Sequence, residues 1–343
     1  MSKVLVTGNL GYIGNILTPE LQKKNYEVIG YDIDFYKDTE IYPINKPNTQ
    51  IIKDVRDVEL EDLKEIDFIV HLAALSNDPL GELNPNLTED INYKATIKLA
   101  NLAKQAGIKR FIYASSQSMY GISNTDNELD EDNSDKNPVT SYARTKWEAE
   151  CELKKLADDS FIVVCFRPST VFGASPRLRT DIIFNNFVAN VYTTKKIEIK
   201  SDGTPWRPVV HIKDVSNAFI AGIEAPANIV NTRSFNVGIE NGNFSVRDLA
   251  EVAQSIFKDS SLVFTYEHTD SRTYKVCFNR ILSELKDFYK PEWDLKKGAD
   301  ELTSIFDKTG FSKEDFSGEK TNRILKLKNL IEKNILDNNL RFI

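Results

Sequence analysis

The chain holds only three cysteines and three histidines among 343 residues. Cys151, Cys165 and Cys277 are an odd, scattered set in apolar or helical contexts, which excludes a disulfide framework and reads as buried, reduced thiols of a cytosolic protein. His71, His211 and His268 lie far apart with no partner at metal-ligand spacing, so no metal is indicated. No apolar run approaches the roughly 20 residues that a membrane span needs. The first strand-like run begins at Lys3-Val4 and leaves no room for a signal peptide, so a cytoplasmic location with no membrane partner is expected. Excess basic charge is missing as well: Lys+Arg 44 against Asp+Glu 51 gives a net charge of −7, which argues against a nucleic-acid partner.

What is present is patterned. Short β-rich runs at 3–7, 27–31, 50–52, 68–72, 110–114 and 161–166 alternate with helical patterns at 14–24, 87–106 and 140–157. Such alternation predicts βαβ units and a parallel sheet. The run Phe68-Ile69-Val70-His71-Leu72 is nearly all apolar, as a strand buried on both faces must be. Beyond about Thr170 the alternation becomes irregular. There the pattern predicts a helix over 181–192, strands at 197–200 and 209–211, a helix over 214–224, and another opened by the capping sequence Ser245-Val246-Arg247-Asp248. The acidic, polar segment 122–137 has no periodicity and reads as a surface loop. The amphipathic, basic segment 320–336 reads as a capping helix rather than a membrane binder. The fold expected is α/β, a Rossmann-type doubly wound parallel sheet with a smaller, mixed α/β C-terminal lobe.

Thr7-Gly8-Asn9-Leu10-Gly11-Tyr12-Ile13-Gly14 follows the strand Val4-Leu5-Val6 and opens a helix. A glycine turn in that context is a place for a dinucleotide pyrophosphate. About twenty residues further on, the next strand ends at Asp32. A carboxylate there accepts hydrogen bonds from the adenosine 2′-hydroxyl and repels a 2′-phosphate, while Ile33-Asp34-Phe35 supplies no cation to neutralise one, so NAD is favoured over NADP. Asp34 is expected to face solvent. Tyr142 and Lys146, in Ser141-Tyr142-Ala143-Arg144-Thr145-Lys146, share one face of a helix. With the glycine turn they suggest hydride chemistry at a carbinol.

The glycine spacing is G-x-x-G-x-x-G, and together with the later Tyr-x-x-x-Lys it resembles the extended short-chain dehydrogenase/reductase family, in particular its nucleotide-sugar epimerases and dehydratases of the UDP-glucose 4-epimerase kind. Further matches are Asp54-Val55-Arg56-Asp57, His71-Leu72-Ala73-Ala74, Asn92 in Ile91-Asn92-Tyr93, Ser115-Ser116-Gln117-Ser118-Met119-Tyr120-Gly121 and Gly203-Thr204-Pro205-Trp206-Arg207. The resemblance implies that Tyr142 is the general base, taking a proton from a sugar hydroxyl as hydride leaves the same carbon for the nicotinamide. A free phenol, with a pKa of about 10, is a poor base at neutral pH. Lys146 and the positive nicotinamide would lower that value, and Ser116 would bridge the substrate oxygen and the phenol. By the same resemblance Gly8, Gly11, Tyr12, Ile13, Gly14, Asp32, Leu72, Ala73, Ala74 and Asn92 belong to the cofactor site. Asp54 and Val55 would contact the adenine, and Pro168 with Ser169 would pack beside the nicotinamide. Asn186, Arg207 and Arg272 would face the diphosphate of a nucleotide sugar, with Ser76, Asn77, Ser116 and Gln117 on the substrate side. Arg177 and Arg179 are candidates only.

The chain departs from the family pattern where 4,6-dehydratases carry an Asp-Glu pair directly after the Ser/Thr. Here those positions hold Gln117 and Ser118, and an amide and a hydroxyl cannot readily do that acid and base work. The leading expectation is therefore an NAD-dependent nucleotide-sugar 4-epimerase. A 4-dehydrogenase or 4-ketoreductase would use the same residues for half the cycle, and a catalytically silent NAD-binding regulator is the alternative from another class. The resemblance further implies a homodimer formed through the helices at 87–106 and 140–157. It assigns 1–169, with 209–240 returning to it, to the NAD-binding domain, and 170–208 with 241–343 to the nucleotide-sugar lobe.

Overall fold

Twelve strands form in the computed structural model, which describes residues 1–76, 78–82, 84–123, 127–266 and 273–343. They are β1 (Lys3–Thr7), β2 (Glu27–Asp32), β3 (Thr49–Ile52), β4 (Phe68–His71), β5 (Arg110–Ala114), β6 (Ile162–Pro168), β7 (Thr170–Phe172), β8 (Lys196–Ile199), β9 (Trp206–His211), β10 (Arg233–Val237), β11 (Asn243–Ser245) and β12 (Ser261–Phe264). Seven of them make one parallel sheet in the order β10-β6-β5-β4-β1-β2-β3. β1 is an inner strand of it, where Val6 stands in register with Gly30 of β2 on one side and Val70 of β4 on the other. Alternate residues of β1 feed two cores. Val4 and Val6 pack with Leu17 and Leu21, while Leu5 packs with Ile29, Tyr31 and Ile69 on the opposite face. This two-sided burial is what makes the strands read as unbroken apolar runs.

The strand order reverses between β1 and β4, and a doubly wound sheet opens its ligand crevice at the carboxyl ends of the strands flanking that point. The later strands build two smaller sheets, β11-β9-β7 and β12-β8, around a third core that includes Phe172, Phe184, Val209, Leu249, Leu302 and Phe306. After β9 the chain returns to the large sheet through the Ile212–Glu224 helix, and β10 pairs with β6.

Three elements differ from the sequence expectation. The helix expected over 87–106 is a turn of α-helix at Pro85–Thr88, a π-helical stretch at Glu89–Lys94 and an α-helix at Ala95–Gln105. Within the wide stretch, the Asn92 amide leaves the helix and closes on the backbone of Leu75, accepting from its N–H at 2.8 Å and donating to its carbonyl at 3.1 Å. Segment 122–137 is not wholly a surface loop. Residues 124–126 lie outside the described residues, but Leu129 bridges Val276, and Glu131 is buried because its carboxylate accepts from the Asn236 N–H at 2.8 Å. The C-terminal helix is shorter than expected, Arg323–Glu332 under an Asn322 cap. The chain beyond it folds back and buries Leu336 and Leu340 in the core on the Leu5 face of the sheet. Among the described residues no helix is long and apolar enough to cross a membrane, and no group of His, Cys, Asp or Glu is placed to hold a metal ion.

Candidate active site

At the end of β1, Gly8 turns the backbone at φ 72°, and a Cβ there would stand 2.8 Å from the Ala73 nitrogen. Only glycine allows that close approach of the turn to the end of β4. A Cβ on Gly14 would stand 2.4 Å from the Gly8 carbonyl oxygen, so the same turn can start the Gly14–Lys23 helix at once. Gly8, Gly11, Tyr12, Ile13 and Gly14 then line a cavity of about 540 Å³, a size that suits a nucleotide ligand. Asp32 lines it too. Its two oxygens accept from the N–H groups of Leu10 at 3.0 Å and Asp34 at 2.8 Å, which orients the carboxylate and leaves lone pairs for ribose hydroxyls. Burial raises its pKa.

Asp34 does not face solvent as expected. It is ion-paired with Arg177 at 2.6 Å, and Arg177 also pairs with Glu40 at 2.7 Å and donates to the Leu10 carbonyl at 2.9 Å. Arg177 therefore braces the glycine turn from behind and is absent from the cavity lining. Asp54 and Val55 border the cavity. The Asp54 carboxylate, however, is held by Arg56 at 2.6 Å and by Arg341 at 3.1 Å. Leu72, Ala73, Ala74 and Ser76 continue the lining from β4. Asn92 does not reach it, because its amide is spent on Leu75, and it supports the lining loop from outside. Asn77 and Arg272 lie outside the described residues.

Ser116 follows β5 and caps the short helix Gln117–Tyr120, accepting from the Ser118 N–H at 3.1 Å and from the Ser118 hydroxyl at 2.9 Å. Tyr142 and Lys146 project from the Ser141–Leu156 helix, which Thr140 caps. Ser116, Tyr142 and Lys146 line the same cavity as the glycine turn. Burial pushes the Tyr142 phenol above its ordinary value, and a hydrogen bond with Ser116 acts against that shift. Burial brings Lys146 down to about 7. Its ammonium donates to the Ala114 carbonyl at 2.7 Å and lies 4.9 Å from the centre of the Tyr113 ring. Gln117 is buried and donates to the Arg167 carbonyl at 3.0 Å. Pro168 and Ser169 close the wall at the end of β6, and Arg207 enters from β9.

One turn beyond Lys146 on the same helix face, Glu150 is fully buried. Burial alone would raise its pKa, but the Arg167 guanidinium at 2.6 Å overrides that and holds it at about 2. Glu150 also accepts from the Ser115 hydroxyl at 2.6 Å. The pair thus fixes both chain segments that carry Ser116 and Pro168.

Asn186 is not in the lining, since its amide donates to the Thr180 carbonyl at 2.8 Å. Its neighbour Asn185 is buried and donates to the Tyr12 hydroxyl at 3.0 Å. Arg179, in the lining, pairs with Asp181 at 2.6 Å and donates to Ser76 at 3.1 Å. Sequence reasoning also passed over Tyr36, Lys53, Thr140, Asp181, Tyr274 and Arg323, which all border the cavity. Tyr36 and Lys53 follow the carboxyl ends of β2 and β3, a position that could have marked them. Arg323 has no local signal.

The glycine cradle, the oriented Asp32 carboxylate and the size of the cavity fit a nicotinamide adenine dinucleotide. The sequence profile of the NAD dependent epimerase/dehydratase family matches residues 4–238. The dTDP-D-glucose 4,6-dehydratase of Mus musculus is 29% identical over 272 residues, spanning 76% of this chain and 74% of that protein. The putative UDP-glucose 4-epimerase of Methanocaldococcus jannaschii is 27% identical over 303 residues, spanning 86% of this chain and 95% of that one. In fold, the chain is similar to the crystal structure of UDP-glucose 4-epimerase with UDP-glucose from Thermotoga maritima, with a TM-score of 0.78 at 22% identity over 90% of this chain and 99% of that one.

Proposed function

The chain belongs to the NAD dependent epimerase/dehydratase family, and from that premise we propose that it is a nucleotide-sugar 4-epimerase with Tyr142 as its general base. It is an NAD-dependent enzyme of the extended short-chain dehydrogenase/reductase type. The observation that carries the finer reading is the grouping of Ser116, Tyr142 and Lys146 in one cavity with the glycine turn, with Gln117 and Ser118 at the positions of the dehydratase acid pair. Gln117 is committed to the Arg167 carbonyl, and a primary amide neither gains nor loses a proton as an acid or base at neutral pH. The likeness to a 4,6-dehydratase therefore extends to the framework rather than to that acid and base step.

Gly8 to Gly14, Asp32 and the wall from Leu72 to Ala74 would hold the cofactor, with Pro168 and Ser169 beside its nicotinamide. Bound NAD supplies a hydride acceptor beside the sugar carbon and a positive ring charge that adds to that of Lys146. Tyr142 removes the proton from the sugar hydroxyl and returns it to the same oxygen at the end of the cycle, after the keto sugar has turned its opposite face to the cofactor side of the cavity. Ser116 holds the same oxygen and hydrogen-bonds the phenol. Lys146, buried and drawn down to about 7, stabilises the phenolate by its charge. Arg207, with Arg179 and Ser76, supplies donors for the diphosphate-linked sugar, since guanidinium forks suit phosphate oxygens. A homodimer through the helices at 85–105 and 141–156 is part of this reading, and sedimentation as a monomer would refute it.

The test is incubation of the purified protein with a panel of nucleotide sugars, following NADH absorbance together with sugar products by NMR. Epimerisation without net NADH change is expected. Stoichiometric appearance or loss of NADH would instead assign a 4-dehydrogenase or 4-ketoreductase, which uses the same residues once per turnover.

A further inference from the structure

The segment after Thr321 crosses from the substrate side of the cavity to its cofactor side. It starts where Thr321 is buried against Thr180, their hydroxyls 2.9 Å apart. It ends on the β2 and β3 side, where the Phe342 ring packs against Phe35 with centroids 6.0 Å apart and Arg341 pairs with Asp54. Between these anchors, Arg56 donates to the carbonyls of Asn339 and Leu340 at 2.8 and 3.1 Å.

Arg323 stands at the crossing. Only 4% of it is exposed, and it borders the cavity. Its guanidinium lies 3.8 Å above the centre of the Tyr36 ring, and one of its nitrogens donates to the Arg177 carbonyl at 3.0 Å. Its Nη1 is buried with no hydrogen-bond partner. Among the described residues Arg323 makes no ion pair, whereas Arg177 is matched by Asp34 and Glu40, and Arg179 by Asp181. A buried guanidinium N–H left unmade costs free energy that an anionic ligand would recover. Tyr36 follows the Asp32 strand, and Arg177, to which Arg323 is bonded, holds Leu10 of the glycine turn. The open nitrogen therefore stands on the half of the cavity built by the dinucleotide elements.

Resting on the family reading above, we propose that the C-terminal segment is a strap over the cofactor and that Arg323 on it binds a phosphate oxygen of the NAD pyrophosphate. Diphosphate chemistry is shared by NAD and the nucleotide sugar, so the experiment separates the two sources. Arg323→Met keeps an unbranched side chain and removes the donors together with the guanidinium over the Tyr36 ring. Titration calorimetry on cofactor-depleted full-length protein would compare NAD, ADP-ribose, adenosine and UDP. NAD and ADP-ribose are expected to weaken about tenfold or more, with adenosine and UDP unchanged. Unchanged ADP-ribose affinity overturns the proposal. A fall in UDP affinity alone also overturns it, because the group would then serve the substrate diphosphate, and an equal loss for adenosine and ADP-ribose overturns it as damage to the pocket. Should the variant not fold, Arg323→Lys keeps the charge without the planar fork. ADP-ribose is then expected to weaken a few-fold with adenosine unchanged, and equal or absent effects overturn the strap. A wild-type protein that takes up no NAD would refute the family-level cofactor reading itself, which is a separate result from any change in the variant.

Discussion

A phenol that burial pushes above its ordinary pKa cannot accept a proton at neutral pH without help, so the chemistry proposed for Tyr142 depends on its neighbours. Tyr142→Phe is expected to lower turnover by at least about 100-fold, the usual range for a lost general base, while calorimetry finds NAD uptake unchanged. Full activity in that variant would remove Tyr142 from the role of general base, and a wild type that binds NAD without turnover would revive the silent NAD-binding regulator. His71 offers a residue-scale test of a different kind. Its two nitrogens lie 2.6 Å from the Thr7 hydroxyl and 2.8 Å from the Thr96 hydroxyl, and Thr96 already donates to the Asn92 carbonyl. Thr96 therefore accepts from Nε2–H, and in the neutral ring Nδ1 accepts from the Thr7 hydroxyl. Burial lowers its pKa from 6.5 to about 3. Between those values the unfolded chain holds a proton that the folded one lacks, so stability is lost as the pH falls through 6.5 toward 3. From pH 7 to pH 5 the loss assigned to His71 is about 2 kcal/mol. Urea unfolding of the wild type and His71→Gln at both pH values isolates this contribution, because other titrating groups cancel in the difference. Equal pH slopes in the two proteins would contradict it.

Elements were legible where their signal is local. The glycine turn, the strands of the large sheet and the helix bearing Tyr142 and Lys146 follow from spacing and apolar runs, which the chain enforces over a few residues. The π-helical stretch at Glu89–Lys94 was not legible, because its composition is that of an ordinary helix. It is explained by a partner seventeen residues upstream, since Asn92 satisfies both backbone groups of Leu75. Asn92→Leu would leave that N–H and carbonyl buried and unpaired. A loss of about 3 kcal/mol is expected in urea unfolding, and a wild-type midpoint would show that the loop from Ala73 to Ser76 is held otherwise. The same reasoning explains Asn186. Its position in the sequence points toward the site, yet the helix beginning at Ile183 turns its amide to Thr180, and the buried Asn185 braces Tyr12 instead.

On the scale of the whole molecule, the C-terminal segment adds Arg323 to a cavity otherwise lined from the strand ends of the large sheet, the helix bearing Tyr142 and Lys146, and the neighbourhoods of Arg179, Arg207 and Tyr274. Removing residues 333–343 would withdraw Leu336 and Leu340 from the core and Arg341 from Asp54. Burial of two leucines supports a loss on the order of 4 kcal/mol, seen as a lower unfolding midpoint in urea. An unchanged midpoint would mean that the segment is only appended. The sequence by itself determined the parallel sheet, the dinucleotide turn, Asp32 and the spacing of Ser116, Tyr142 and Lys146, because each depends on residues close along the chain. Only the tertiary structure decided that Asp54 is clamped by Arg56 and Arg341, that Arg177 braces the turn while Arg179 reaches the cavity, and that Arg323 arrives there with an open donor. The contacts of Arg341, Arg177 and Arg323 join groups far apart along the chain, where burial and pairing select the geometry and no local pattern records it.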